Sequence, residues 1–237
     1  MSAKREPAQD AFVLHTYPYR ETSLLVEVFT RGSGRMSLVA RAARRPRSPM
    51  RGVLMGFQPL TISWFGKGDV KTLAKAEWTG GQALLLGEAL LCGFYLNELI
   101  VRLLAREDPH ERLFDRYREA LHGLAAGEPS PPLLRGFEKA LLKELGYAMV
   151  LDRDARNGQP IDPERLYTYD PELGPTELNG SWAEIQLSGV TLLDMAKDDF
   201  SDPRTLAQAK TLMRALINHR MDQPLNSRRV FRELLEL

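Results

Sequence analysis

"AFVLHTYPYRETSLLVEVFTRGSGRMSLVARAA", Ala11 to Ala43, reads as three β-strands in succession. The first nine residues, Ala11–Tyr19, are apolar and aromatic. Thr22–Thr30, "TSLLVEVFT", is rich in branched residues and stops at "RGSG", a turn signal. Arg35–Ala43 then alternates, with Met36, Leu38 and Ala40 on one face and Arg35, Ser37, Val39 and Arg41 on the other. A period of two is the mark of a strand with one buried side.

Further along, "PLTISWFGKGDVKTLAKAEW", Pro59–Trp78, reads as two strands joined by a hairpin turn at Gly66–Asp69. A longer segment separates the third strand from the fourth. Five short strands in about seventy residues predict a small barrel of OB type, whose faces and loops commonly take oligonucleotides. "TGGQ", Thr79–Gln82, is the expected boundary, because a helical pattern begins after it. Ala83–Arg106 is apolar almost all round and predicts a buried central helix. Pro109–Ala126 carries Leu113, Tyr117, Leu121 and Leu124 at helical spacing. Ser130 with Pro131 and Pro132 starts another helix, which Gly146 stops. Residues 151–179 are rich in Asp, Pro and Gly and predict an irregular region with room for short strands. Asp202-Pro203 caps a long helix that Pro224 is expected to break, and a short helix over Ser227–Leu237 ends the chain. The expected fold class is therefore α+β. A five-stranded OB-fold barrel occupies residues 1–80, and a mainly α-helical domain occupies residues 81–237, with an irregular insertion at about 151–190.

The 237 residues are 43% hydrophobic and 27% charged, the composition of an ordinary globular protein. One cysteine, Cys92, excludes an internal disulfide framework or a Cys-rich zinc site, and it fits a reducing cytoplasm. "MSAKREPAQD" is charged and lacks the apolar core of a secretory signal. The most apolar stretch carries Glu88, Asn97, Glu98 and Arg102, which argues against a membrane span. The net charge of +1 conceals an asymmetry. Residues 1–80 hold thirteen basic and six acidic residues, a net of +7, and the remainder is a net −6 from nineteen and twenty-five. Between Val28 and Gly68 there are eight basic residues and no acid.

No catalytic constellation is visible. His15, His110, His122 and His219 are scattered and share no metal-ligand spacing. Asp152, Asp154, Asp198 and Asp199 read as solvated loop acids, because no further ligand occurs at calcium-loop spacing. Neither a phosphate-binding glycine loop nor a nucleophile elbow occurs. These absences favour a binding protein over an enzyme, with no cofactor and no metal. The basic run supplies the chemistry. Arg35, Arg41, Arg44, Arg45, Arg47 and Arg51 come from the third strand and the loop that leaves it, and Lys67, Lys71 and Lys75 from the hairpin. Lys71 and Lys75, four apart on a strand, are expected on one face. Arginine's planar fork suits phosphate and can also stack on bases, so these nine residues are the predicted nucleic-acid site, with weak sequence preference. Tyr17, Tyr19, Phe57, Trp64 and Phe65 could stack on bases, but each reads first as a core residue.

The chain resembles the RecO family of bacterial recombination mediators. The resemblance rests on Ala11–Ser48, on "GFQPLTISWFGKGDVKTL" (Gly56–Leu73), "YLNELIVRLL" (Tyr95–Leu104), "LLRGFEKALLKELGY" (Leu133–Tyr147) and "PLNSRRVFREL" (Pro224–Leu234), in the family's order. It implies an N-terminal OB fold and a helical C-terminal domain. It implies binding of single- and double-stranded DNA, annealing of complementary strands, and partnership with RecR and with the acidic C-terminal tail of single-stranded-DNA-binding protein. The implied outcome is RecA loading in DNA repair, by a cytoplasmic protein associated with the nucleoid. Many relatives carry a four-cysteine zinc site after the "LGY" segment, but "VLDRDARNGQPIDPERLYTYD" here has no cysteine, so this region must hold its shape by packing and turns. For the tail, Leu134, Arg135, Phe137, Lys139 and Leu142 offer an apolar patch beside an arginine, although an ordinary amphipathic helix accounts for them equally. Arg228, Arg229 and Arg232 are the alternative. An OB-fold RNA-binding factor is the competing function, since charge does not separate RNA from DNA. An enzyme using the barrel as an accessory and an adaptor for an acidic protein are more distant readings.

Overall fold

Five strands close the barrel that the N-terminal pattern predicts, in the computed structural model of the chain, which describes residues 6–178, 183–227 and 229–230. They are β1 (Gln9–Tyr19), β2 (Ser23–Thr30), β3 (Gly34–Ala40), β4 (Leu60–Phe65) and β5 (Val70–Trp78), in the order β1-β2-β3-β5-β4 around the barrel. All pairings are antiparallel except β3 with β5. The alternation works as expected: Val26, Val28, Met36, Leu38, Ala40, Leu60, Ile62 and Trp64 fill the interior. The segment between β3 and β4 contains one helical turn, α1 (Met50–Val53), which no sequence pattern announces. Met50 and Val53 pack on the barrel core beside Leu54.

Two bulges reset which side chains face out. In β1 the register with β2 shifts between Val13 and His15. Ala11 and Val13 point into the core before it; Thr16, opposite the core residue Val26, points in after it. In β5 the register shifts opposite Ser63 and Trp64, so that Leu73 and Ala76 both face the core although they are three residues apart.

The chain divides into two compact units, residues 1–128 with 225–237, and residues 129–224. In the first, α2 (Gly87–Leu103) and α3 (Glu111–Ala126) come after the barrel. The expected helix from Ala83 begins only at Gly87, because residues 79–86 run on through Gly80 and Gly81, both at positive φ. Phe12 and Phe29, on the barrel's outer face, are buried against Phe114 and Tyr117 of α3, with ring centroids 5.2–6.0 Å apart. Asn97 of α2 donates from Nδ2 to the carbonyl of Leu14 at 2.8 Å and accepts from the Tyr117 hydroxyl. Burial pushes that phenol well above its ordinary value, so it stays a donor. The segment after α2 crosses β3 at Gly34, where an added Cβ would lie 2.0 Å from the carbonyl oxygen of Asp108. Only glycine allows that approach.

In the second unit, α4 (Ser130–Glu144) packs on α6 (Pro203–His219), as does α5 (Gly189–Ala196). α4 starts at the predicted Ser-Pro-Pro, and Gly146 lies just past it at φ 86°. The Asp202 side chain caps α6 by accepting from the N–H groups of Arg204 and Thr205. This helix ends at His219, before Pro224 is reached. The region expected to be irregular holds a three-stranded sheet, β7-β6-β8, of β6 (Leu166–Asp170), β7 (Gly174–Glu177) and β8 (Leu187–Ser188). The expectation that Asp154 is a solvated loop acid is wrong. It is buried, and its carboxylate accepts from the N–H groups of Arg156 (2.8 Å), Asn157 (3.2 Å) and Glu177 (2.7 Å). Burial raises its pKa, but these donors outweigh that and hold it below the ordinary range. One carboxylate thus ties residues 154–157 to β7. Among the described residues no cluster of three or more His, Cys, Asp or Glu is placed to hold a metal ion.

Candidate nucleic-acid interface

β3 leaves the barrel at Ala40 and the chain turns through Arg41–Pro49 before α1. Ala43 is buried in the barrel core and anchors the loop. Backbone bonds from Arg45 to Ala42, Ser48 to Arg45 and Arg51 to Ser48 (3.0–3.2 Å) fold it into successive turns. The Arg44 N–H donates to the Thr22 carbonyl at 2.8 Å, and its guanidinium reaches the carbonyls of Arg20 and Glu21. The loop is therefore pinned to the β1–β2 turn. Arg20, Arg41, Arg44, Arg45, Arg47 and Arg51 are all exposed, and none of them pairs with a carboxylate among the described residues. Side chains so placed can take phosphate oxygens without first breaking an ion pair.

The other predicted basic residues are not gathered here. Ser37 pairs with Val70 and Val39 with Thr72, so the β4–β5 turn, with Lys67, lies beside the start of β3 and the arginine loop leaves from its end. Lys67 is exposed but at the far end of the barrel. Lys71 pairs with Glu107, with little of its side chain exposed. Lys75 is exposed and pairs with Glu77 at 2.6 Å. The expectation that Lys71 and Lys75 share a face fails, because the β5 bulge lies between them and reverses the alternation.

Arg35 is the largest correction. Its side chain is 13% exposed and lies 3.3 Å from Glu27, itself 4% exposed. It also donates to the Leu104 carbonyl from Nε (3.2 Å) and Nη2 (3.1 Å). Glu27 further accepts from Arg106 at 3.0 Å and from the Ser37 hydroxyl. Burial pulls the Arg35 guanidinium below its ordinary value, against the opposing charge of Glu27. Arg35 thus fastens the end of α2 to the barrel and is withheld from solvent. Arg31, in the same acid-free window, forms a two-pronged pair with Asp115 of α3 at 2.5 and 2.9 Å.

Of the aromatic residues, Trp64 and Phe57 are core and Phe65 is half-buried. Tyr17 is 44% exposed and Tyr19 is half-buried. His15, which sequence reasoning does not connect with the site, stands beside Tyr17 with ring centroids 4.3 Å apart. Its spacing from Tyr17 and Tyr19 is the signal that could have found it, had the bulge at Leu14 been legible.

The residues expected to take a partner's tail are consumed by the fold. Phe137, Leu142 and Arg135 are buried, and Arg135 pairs with Glu138 at 2.7 Å. Lys139 donates to the carbonyls of Met195 and Ala196 and pairs with Asp198 at 2.7 Å, which closes the C-terminus of α5. Leu134 is half-buried. The helix reads as amphipathic because its apolar side is core. In the alternative cluster, Arg229 is exposed, and Arg228 and Arg232 lie outside the described residues, as does most of the expected terminal helix. The start of that segment is placed: Glu98 of α2 accepts from the N–H groups of Asn226 and Ser227, each at 2.8 Å, and pairs with Arg102 at 2.9 Å. These donors hold its carboxyl below the ordinary range, against the effect of burial.

Known proteins share this sequence along its whole length. A family model described as "Recombination protein O N terminal" matches residues 2–82, and one described as "Recombination protein O C terminal" matches residues 86–229. Among curated proteins, "DNA repair protein RecO" of Aromatoleum aromaticum is 56% identical over 240 residues, covering 100% of both chains. The protein of the same name from Nitrosospira multiformis is 54% identical over 237 residues, covering 99% of this chain and 98% of its own. That of Ralstonia nicotianae is 50% identical, covering 98% and 86%.

Proposed function

The chain belongs to the RecO family, and from that premise we propose a DNA repair and recombination protein that binds single- and double-stranded DNA through the arginine-bearing end of its barrel. It anneals complementary strands and, with RecR, helps RecA load onto DNA covered by single-stranded-DNA-binding protein. The observation that carries the DNA-binding reading is the exposed, carboxylate-free set Arg41, Arg44, Arg45, Arg47 and Arg51, joined by Arg20. Arg35, Lys71 and Lys75 are left out because their charge is already matched by Glu27, Glu107 and Glu77.

The chemistry needed is physical. Annealing brings two like-charged strands together, and guanidinium groups lower their repulsion and release condensed counterions. No bond in DNA is made or broken, so no acid, base or nucleophile is required. RecR and the tail of single-stranded-DNA-binding protein remain proposed partners on the strength of family membership, but the tail is not assigned to the α4 residues, which the fold has buried. No helix among the described residues is long and apolar enough to cross a membrane.

The test is anisotropy of a labelled single strand across a salt titration, with an annealing assay after it. If five arginines each meet one phosphate, log K falls against log salt with a slope of about −3.5 for a single strand and about −4.5 for a duplex. Absence of binding at low salt would remove the reading.

A further inference from the structure

We propose that the outer face of β1 is a base-stacking track, on which His15, Tyr17 and Tyr19 take the unpaired bases of a single strand whose phosphates lie on the arginine loop. The proposal rests on the DNA-binding reading above and adds to it a preference for single strands.

The bulge at Leu14 creates the track. Without it, residues 15, 17 and 19 would continue the inward series of Ala11 and Val13. The extra residue turns them outward instead, while Thr16 and Pro18 face Val26 and Leu24, which belong to the core or pack on it. A bulge leaves backbone groups without a ladder partner. Here Asn97 satisfies the Leu14 carbonyl, and Asn97 is itself held by Tyr117. α2 and α3 therefore stabilise the conformation that aims the three rings. Asn97 is a positioning residue and touches no base.

The covering of β1 is uneven. Phe12, on the outer face before the bulge, is 1% exposed beneath α3. Tyr17, on the outer face after it, is 44% exposed. His15 leans on Tyr17, with centroids 4.3 Å apart and planes tilted by 58°, so that His15 buttresses the Tyr17 ring. Arg20 lies 5.3 Å from the centroid of Tyr19 and adds a cationic plane beside it. Aromatic rings and arginine planes accept any base, since every base has a π face.

Position identifies the occupant. The track ends at Arg20, whose carbonyl accepts from Arg44, so the rings run directly into the arginine loop. Bases inside a duplex have both faces covered by neighbouring pairs and cannot stack on these rings, whereas the bases of a single strand can. An acidic peptide would satisfy the arginines but has no use for rings that succeed one another along a strand.

The experiment compares three labelled probes of equal length at one salt concentration: an oligothymidine, an oligomer of abasic residues and a duplex. The full chain should bind oligothymidine more tightly than the abasic strand. Tyr17→Ala should weaken oligothymidine binding about five- to a hundredfold, and leave duplex binding and the salt slope unchanged. Tyr17→Phe, which keeps the ring, should bind as the parent does. Tyr19→Ala should lose less, because Tyr19 is half-buried. Equal binding of abasic and thymidine strands by the parent overturns the track. So does a Tyr17→Ala variant that binds oligothymidine normally while the Arg44/Arg45/Arg47→Ala variant does not, and in that case the phosphate reading stands. If the parent binds none of the probes at low salt, the DNA-binding reading itself fails.

Discussion

Two sets of arginines in the first unit have opposite fates. Arg31, Arg35 and Arg106 meet Asp115 and Glu27, and Arg35 is nearly sealed from water. Arg41, Arg44, Arg45, Arg47 and Arg51 have no carboxylate partner among the described residues and stand in solvent. Arg31 and Arg35 belong to the same acid-free window as the loop arginines. The difference lies in the groups that the fold brings to them. Asp115 comes from α3, eighty-four residues away, and Glu27 comes from the neighbouring strand. A count of charge along the chain treats all of these arginines alike, but only the loop set keeps its charge available to a ligand.

Substitutions test that division, beginning with the largest effect. Glu27→Gln leaves Arg35 buried without its counter-charge. It should destabilise the first unit by about 3–5 kcal/mol, read as a shift in the urea midpoint, while the folded fraction keeps its DNA affinity. A fall in affinity without loss of stability would place Glu27 and Arg35 in the binding site. Arg44/Arg45/Arg47→Ala should do the reverse. Binding should weaken by roughly one to two orders of magnitude at low salt, and the slope should become shallower by about 2, with the melting curve unchanged.

The contrast recurs on a smaller scale at Asp152 and Asp154. Asp152 is exposed and pairs with its neighbour Arg153, whereas Asp154 is buried on three N–H donors. Because the folded pKa of Asp154 is depressed, its stabilisation is present above the ordinary carboxylate range and is lost as pH falls through the lower folded value. Asp154→Asn should cost about 1–3 kcal/mol at neutral pH and should lessen the acid sensitivity of the second unit, measured by hydrogen exchange of β6 and β7. The smallest effect is expected at the far end of the barrel. Lys67→Ala should change DNA affinity by less than about twofold, and a larger loss in the same anisotropy assay would mean that DNA extends along the whole barrel.

Much of the fold is legible in the chain. Alternation at Met36, Leu38 and Ala40, the turns at Arg31–Gly34 and Gly66–Asp69, and the Ser-Pro-Pro and Asp-Pro helix starts are local signals, and each appears where local chemistry puts it. α1 and α5 show no helical period, although the Ser188 side chain caps α5 by accepting from the Thr191 N–H at 3.2 Å. α1 is a single turn and α5 is only eight residues long, too short for a period to show. Of the nine basic residues expected at the site, Arg41, Arg44, Arg45, Arg47 and Arg51 lie together, because a continuous loop keeps neighbours in sequence close in space.

The sequence by itself determined the barrel, the helical character of the rest of the chain, the family and the excess of positive charge near the end of the third strand. Side-chain period, turn chemistry and composition act over a few residues and are written in order along the chain. The tertiary structure alone decided which charges stay free and which rings face out. Glu27, Asp115 and Glu107 neutralise basic residues from other elements, and one extra residue at Leu14 reverses the facing of every side chain after it in β1. A pairing across the fold and a bulge are settled by packing on partners distant in sequence, and no local pattern records them.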